Sequence, residues 1–218
     1  MNTKNTTDDI ANPDSENGNE YRRLIELGIA LSAELDHDKL MESILLAAKE
    51  FCNADAGTLY LITDQNELCF QIIRNDSLDI AMGGTTGKPV DLPAVSIFGE
   101  NGEPNLHNVS AAAAVTGNTI NIRDAYASNR YDFSGTKKFD EQTGYKSQSF
   151  LTVPLKNHEG DVSGVLQLLN AQDKETGEVI DFTEEIEPLI EALASQAAVS
   201  LNNQMLLQAQ KELLDAFI

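Results

Sequence analysis

Tryptophan is absent from the 218-residue chain, and cysteine occurs only twice, at Cys52 and Cys69. Two cysteines supply neither a disulfide framework nor a four-cysteine metal site, so both read as buried thiols in a reducing cytoplasm. Basic residues are scarce: Lys+Arg 15 against Asp+Glu 35 leave a formal net charge of −20. A surface that acidic repels phosphate backbones and anionic lipid, which argues against nucleic-acid or membrane binding by charge. No apolar run is long enough to span a bilayer, and the polar start (Asn2, Lys4, Asp8, Asp9) has no signal-peptide core. The three histidines, His37, His107 and His158, are scattered and predict no metal site.

What the chain does have is a clear change of period along its length. Residues 1–18 are rich in Asn, Thr, Asp and Ser and read as a disordered leader. Leu24, Leu27, Leu31 and Leu35 then recur at helical spacing. Asp36 ends that run and caps a second stripe of Leu40, Ile44, Ala47, Ala48 and Phe51. After Asn53 the period falls to two. Residues 57–62 and 68–72 read as strands of a hairpin around Thr63–Asn66.

Glycine and proline punctuate residues 75–118, which read as a functional loop system with an edge strand near 95–98 and a short helix over 108–116. A strand at 119–122 and a helical turn near 139–143 follow. A second hairpin pairs 150–155 with 162–169, and Pro154 in it is expected where its missing N–H faces no partner. Thr183 reads as the cap of a last helix, with Glu184 and Glu185 in its first turn and Pro188 bending or delaying its start. The stripe Ile186, Leu189, Ile190, Leu193, Ala197 and Leu201 continues through Met205, Leu206, Leu213, Leu214 and Phe217.

Motifs of catalysis fail on detail. Gly83-Gly84-Thr85-Thr86-Gly87-Lys88 looks like a phosphate loop, but Met82 stands at the first glycine and Pro89 at the magnesium-holding hydroxyl. A surface turn is the better reading. His158-Glu159 lacks a second histidine, no serine sits in a nucleophile elbow, and neither cysteine has an activating neighbour. No catalytic residue, metal or cofactor is expected.

The run from Gly117 to Tyr126, then Phe139 to Leu151, then Val153-Pro154-Leu155-Lys156-Asn157, Gly160 and Gly164 to Asn170 resembles GAF domains, especially those of cyclic-nucleotide phosphodiesterases and bacterial cyclases. The likeness extends over about residues 20–205. It implies an α+β fold: a central antiparallel sheet of five to six strands, the N- and C-terminal helices on one face, short helices and loops closing a pocket on the other. Residues 19–204 would form the domain and 205–218 a signalling helix, which is similar to the helix entering an HD-type phosphohydrolase output domain of bacterial signalling proteins.

GAF domains are mostly regulatory, binding a small molecule and passing its state onward. The resemblance places ligand contacts at Thr58, Arg74, Ser96, Phe98, Phe133, Asp140, Thr143, Ser147 and Gln167. The family's discontinuous Asn-Lys-Phe-Asp-Glu signature falls on Asn170, Ala171, Phe182, Ile186 and Glu187, so its Lys–Asp pair is missing. Cyclic AMP and cyclic GMP are therefore expected to bind weakly or not at all, and Arg74 offers a fork for some other anion. The function implied is a cytoplasmic sensor of a small, nucleotide-like ligand, homodimeric through its first and last helices and attached to a C-terminal output domain. The alternative is a dimerisation and relay scaffold with a vestigial pocket.

Overall fold

The computed structural model describes residues 16–216, so most of the expected leader, together with Phe217 and Ile218, lies outside the described residues. In chain order the elements are α1 (Glu16–Ala33), α2 (His37–Cys52), β1 (Ala54–Ile62), β2 (Glu67–Asn75), β3 (Ile80–Met82), β4 (Val95–Ser96), α3 (Val109–Thr116), β5 (Ile120–Ile122), α4 (Ser134–Thr143), β6 (Phe150–Lys156), β7 (Val162–Gln172), β8 (Val179–Ile180) and α5 (Glu187–Asp215). A 3-10 turn, Gly84–Thr86, lies between β3 and β4.

Eight strands make one sheet of order β3-β2-β1-β7-β6-β5, with β4 on β2 and β8 on β7, and every pair is antiparallel. The two hairpins meet at its centre, where β1 pairs with β7 from Ala54↔Ala171 to Leu61↔Gly164. Period-two alternation then sorts the side chains. Leu59, Ile72, Leu151, Val153, Leu155, Leu166 and Leu168 point to one face, and Leu40, Ile44 and Leu45 of α2 and Ile190, Leu193 and Ala197 of α5 close over them. Leu31 of α1 joins that core. On the other face, Tyr60, Leu68 and Val165 pack against Ala113 and Ala114 of α3. Phe150 packs there with Val109, Ile122, Ala125 and Phe133.

Asp36 caps α2 as expected, its carboxylate accepting the Lys39 N–H at 3.0 Å. Asn108 does the same for α3 through Ala111 N–H, 3.0 Å. Pro154 lies opposite Val165 and beyond the stretch of β6 that β5 pairs, which ends at Thr152. Other expectations are corrected. Helix α1 already runs at Glu16 and stops at Ala33, leaving Leu35 exposed beyond it. Thr183 caps nothing: residues 184–186 form a turn whose Ile186 N–H returns to the Thr183 carbonyl, and α5 begins with Glu187 and Pro188, where a missing N–H costs no helical bond. Helix α5 runs on through residue 205 to Asp215, as the continuing stripe led one to expect. Both cysteines are half-buried rather than buried.

Candidate ligand-binding site

The face opposite α1, α2 and α5 holds a cavity of about 440 Å³. That is within the range of small-molecule sites. Its floor is the sheet: Thr58 and Tyr60 of β1, Phe70 and Ile73 of β2, Gln167 and Leu169 of β7. The first residues of α3, Val109 and Ser110, form one wall. The start of α4 with Phe133, Gly135, Thr136 and Phe139 forms another, and Tyr145, Ser147, Leu92 and Val95 complete the rim. Six aromatic residues, Tyr60, Phe70, Phe133, Phe139, Tyr145 and Phe150, are among its lining. Tyr60 and Phe70 meet at a centroid distance of 4.6 Å, and Phe133 and Phe150 at 5.3 Å.

The chamber's polar groups satisfy one another. The Gln167 amide donates to the Ser110 hydroxyl and to the Thr152 hydroxyl, each at 3.1 Å. Burial pushes the Tyr60 phenol up to about 12, so it stays a neutral donor. Two buried carboxylates hold the lid, residues 124–148. Asp140 accepts the Ser147 N–H and hydroxyl, both at 2.8 Å, and the Tyr126 hydroxyl at 2.7 Å. Asp55 of β1 accepts the Tyr145 hydroxyl at 2.6 Å and the Ser77 hydroxyl at 2.8 Å. Burial and the adjacent Asp55 carboxylate push the Tyr145 phenol far up. The Asn170 amide donates to the Tyr145 hydroxyl and to the Lys146 carbonyl, and its own carbonyl takes the Gln148 N–H.

Of the nine residues named from sequence, Thr58, Arg74, Phe133, Ser147 and Gln167 border the chamber. Asp140 lies behind it as the lid's tether. Thr143 caps its own helix, donating to the Phe139 carbonyl at 2.9 Å. Ser96 is exposed on edge strand β4, and Phe98 lines a separate groove beside the end of α3.

Arg74 does not offer its charge to the chamber. It pairs in register with Gly57, where a Cβ would lie 2.7 Å from Leu45 on the helical side, and it shares that side with Ile72. Its guanidinium is spent on Glu42 of α2 at 2.5 Å and on the Met82 carbonyl at 2.8 Å. Thr85 of the 3-10 turn gives Glu42 two more hydrogen bonds. The glycine-rich segment is thus a strap clamped to α2. Partial burial alone would raise the Glu42 carboxyl, but the Thr85 and Arg74 contacts outweigh it and hold it low.

The signature positions also lie away from the chamber; none of Asn170, Ala171, Phe182, Ile186 and Glu187 lines it. Ala171 and Phe182 are in the helical-side core and Ile186 packs on it. Glu187 accepts the Asn121 amide at 2.6 Å. Neither thiol lines the chamber, and burial pushes the Cys52 thiol up to about 12.

A family model described as "GAF domain" matches residues 36–201. The chain belongs to the GAF family. GAF domains are regulatory, ligand-binding modules. The chain is 28% identical over 194 residues to a dual 3',5'-cyclic-AMP and -GMP phosphodiesterase 11A of Takifugu rubripes, covering 89% of this chain and 20% of the relative. Against the cGMP-specific 3',5'-cyclic phosphodiesterase of Drosophila melanogaster it is 26% identical over 190 residues, 84% of this chain and 15% of the relative. The chain thus spans about a fifth or less of the length of these relatives.

Among solved structures, the GAF domain of a phosphoenolpyruvate-protein phosphotransferase from Coxiella burnetii superposes with a TM-score of 0.65 at 18% identity, covering 89% of this chain and 99% of that one. Free methionine-R-sulfoxide reductase from Neisseria meningitidis gives 0.59 at 16% identity, covering 88% and 93%. These likenesses carry the fold alone. No helix among the described residues is long and apolar enough to cross a membrane.

Sequence reasoning missed Tyr60, Phe70, Ser110, Thr136, Phe139 and Tyr145 as lining residues. Tyr60 was recoverable, since it alternates in phase with Thr58.

Proposed function

We propose that this domain senses a small molecule in the chamber and relays its state to an attached output domain. The observation that carries the reading is the chamber itself: an aromatic-walled cavity of about 440 Å³ with a few convergent hydroxyl and amide groups. Catalysis is a poorer account of it. Reducing a sulfoxide, as the Neisseria neighbour's name describes, calls for a reactive thiol at the substrate. Here the chamber wall has none.

The relay runs through the helices. Ile25 and Ile29 of α1 and Met205, Leu206, Leu213 and Leu214 of α5 are exposed at helical spacing, the last four each about 60% exposed. Such stripes suit a parallel homodimer that places two output domains side by side. The test is a thermal-shift screen of nucleotides, nucleosides and common cofactors. A ligand at a hundred times its dissociation constant adds about 2.7 kcal/mol of stability. A hit that Thr136→Trp abolishes, with the unliganded melting temperature unchanged, supports sensing. A silent screen favours the second reading, a relay scaffold with a vestigial pocket. The mutual satisfaction of Gln167, Ser110 and Thr152 speaks for that reading.

A further inference from the structure

The chamber's charge is a property separate from its shape. Among its described lining residues the groups that can carry charge are Arg74, Asp132, Tyr60 and Tyr145. Arg74 is turned to the other face of the sheet and neutralised by Glu42. None of the lid's three lysines lines the chamber: Lys137 and Lys146 lie 5.4 Å and 5.6 Å from the centre of the Tyr126 ring, and Lys138 is exposed. Asp132 remains at the mouth. Its carboxylate accepts the Ser134 N–H at 2.8 Å, which, with smaller attractions from His107 and Lys137, holds it below the usual carboxylate range and keeps it anionic.

Against this stands one attraction for anions, the N-terminus of α3, where Val109 and Ser110 border the chamber. A helix end acts over about one turn and carries about half a charge. It faces one full negative charge at the mouth and a chain of net charge −20. The polar groups of the floor and α3, the hydroxyls of Thr58, Tyr60 and Ser110 and the Gln167 amide, are neutral; the Gln167 N–H groups already bond Ser110 and Thr152, and each hydroxyl oxygen has two acceptor lone pairs. Ring faces and neutral two-way hydrogen-bond groups match the edge and face of an uncharged heteroaromatic molecule.

We propose that the chamber is selective for an uncharged, flat heteroaromatic ligand and discriminates against the phosphorylated form of the same ring. The proposal rests on the sensing reading and adds the ligand's charge class to it. It departs from the cyclic nucleotides, which carry a phosphate.

Matched pairs test it: adenosine with cyclic AMP, guanosine with cyclic GMP, uridine with UMP, riboflavin with FMN. Each is titrated into the whole chain by calorimetry at low and high salt. The expected result is binding by at least one neutral member, insensitive to salt, with its phosphorylated partner at least about tenfold weaker. Asp132→Asn narrows that gap from the phosphate side. A phosphorylated member that binds as tightly as its neutral partner, and is displaced by Thr136→Trp, overturns the charge selectivity and leaves the sensing reading standing. Silence from every pair overturns the charge-class proposal, and the wider thermal-shift screen then decides the sensing reading separately.

Discussion

Removing the Asp140 carboxylate tests how the chamber's lid is held. The residue is 4% exposed and accepts three hydrogen bonds, two from Ser147 and one from Tyr126. Asp140→Ala strands the Ser147 N–H and hydroxyl in a site where Ser147 is itself buried, whereas Tyr126 is exposed enough for water to replace its partner. A buried donor left unsatisfied costs about 1–3 kcal/mol. The hydroxyl can turn and recover part of its share, so the expected loss is about 3 kcal/mol, a large fraction of a domain's stability. Asp140→Asn keeps one acceptor oxygen and is expected to cost about 1 kcal/mol. Urea denaturation followed by far-ultraviolet circular dichroism measures both.

A second readout isolates the hydrogen bond. The Asp140 contact is the chief cause that raises the Tyr126 phenol to about 12. In Asp140→Ala one tyrosine should therefore titrate near its ordinary value of about 10. An alanine variant within about 0.5 kcal/mol of the parent, the scatter of an indifferent surface change, with an unshifted tyrosine, refutes this account of the lid.

Three further outcomes follow from the sheet and the strap. Glu42→Gln leaves the Arg74 guanidinium buried without its counter-charge; water reaches the Glu42 end, so the expected cost at neutral pH is about 2 kcal/mol rather than the 3–5 of a fully buried pair. Because the Glu42 carboxyl is held low, its contribution is present above the unfolded value of about 4.3 and is lost as pH falls through the folded value. The gap between parent and Glu42→Gln should then close in acid, and a gap constant down to pH 2 contradicts the linkage. Gly57→Ala and Gly164→Ala should differ: the new Cβ meets the movable end of Leu45 at 2.7 Å in the first and the Tyr60 carbonyl at 2.2 Å in the second. About 1–3 kcal/mol is expected at Gly57 and more at Gly164, read from chemical melts. Leu213→Asp with Leu214→Asp should turn the proposed dimer into a monomer by light scattering, with the melting temperature of the domain core kept.

The fold was legible where one period ran unbroken. The stripes of α2 and the alternation of the two hairpins each commit a face to burial, and that fixes the central four strands. Strands β3 and β8 were not legible, because two or three residues cannot display a period and are set by what they pair with, whereas the edge strand expected near 95–98 appears as β4. Thr183 misled for a related reason. A capping residue is only a cap if its successors turn helical, and here Pro188 and the buried Phe182 fix the start four residues later.

The chamber was half legible. Thr58 and Gln167 are neighbours across β1 and β7, a pairing that hairpin register implies. Arg74 was misread because sequence gives its charge but not which face of β2 it shares with Ile72; the irregularity in β1–β2 pairing at Leu59/Tyr60 shifts that phase.

The missing Lys–Asp pair bears on cyclic-nucleotide binding less directly than the sequence suggests. Ala171 is 3% exposed among Ala54, Phe182 and the α5 leucines, and Ile186 packs on the same cluster. An apolar pair of good fit in such a place is often as stable as an ion pair, since two charges need not be desolvated. What the signature keeps is its strut work. Asn170, at φ 54°, ties β7 to residues 145–149, and Glu187 ties α5 to Asn121 of the edge strand. Both act on the frame around the lid rather than on a ligand. The apolar pair therefore serves the frame as an ion pair would, and the proposed preference against phosphate rests on the chamber wall, where Arg74 is spent on Glu42 and Asp132 lies at the mouth.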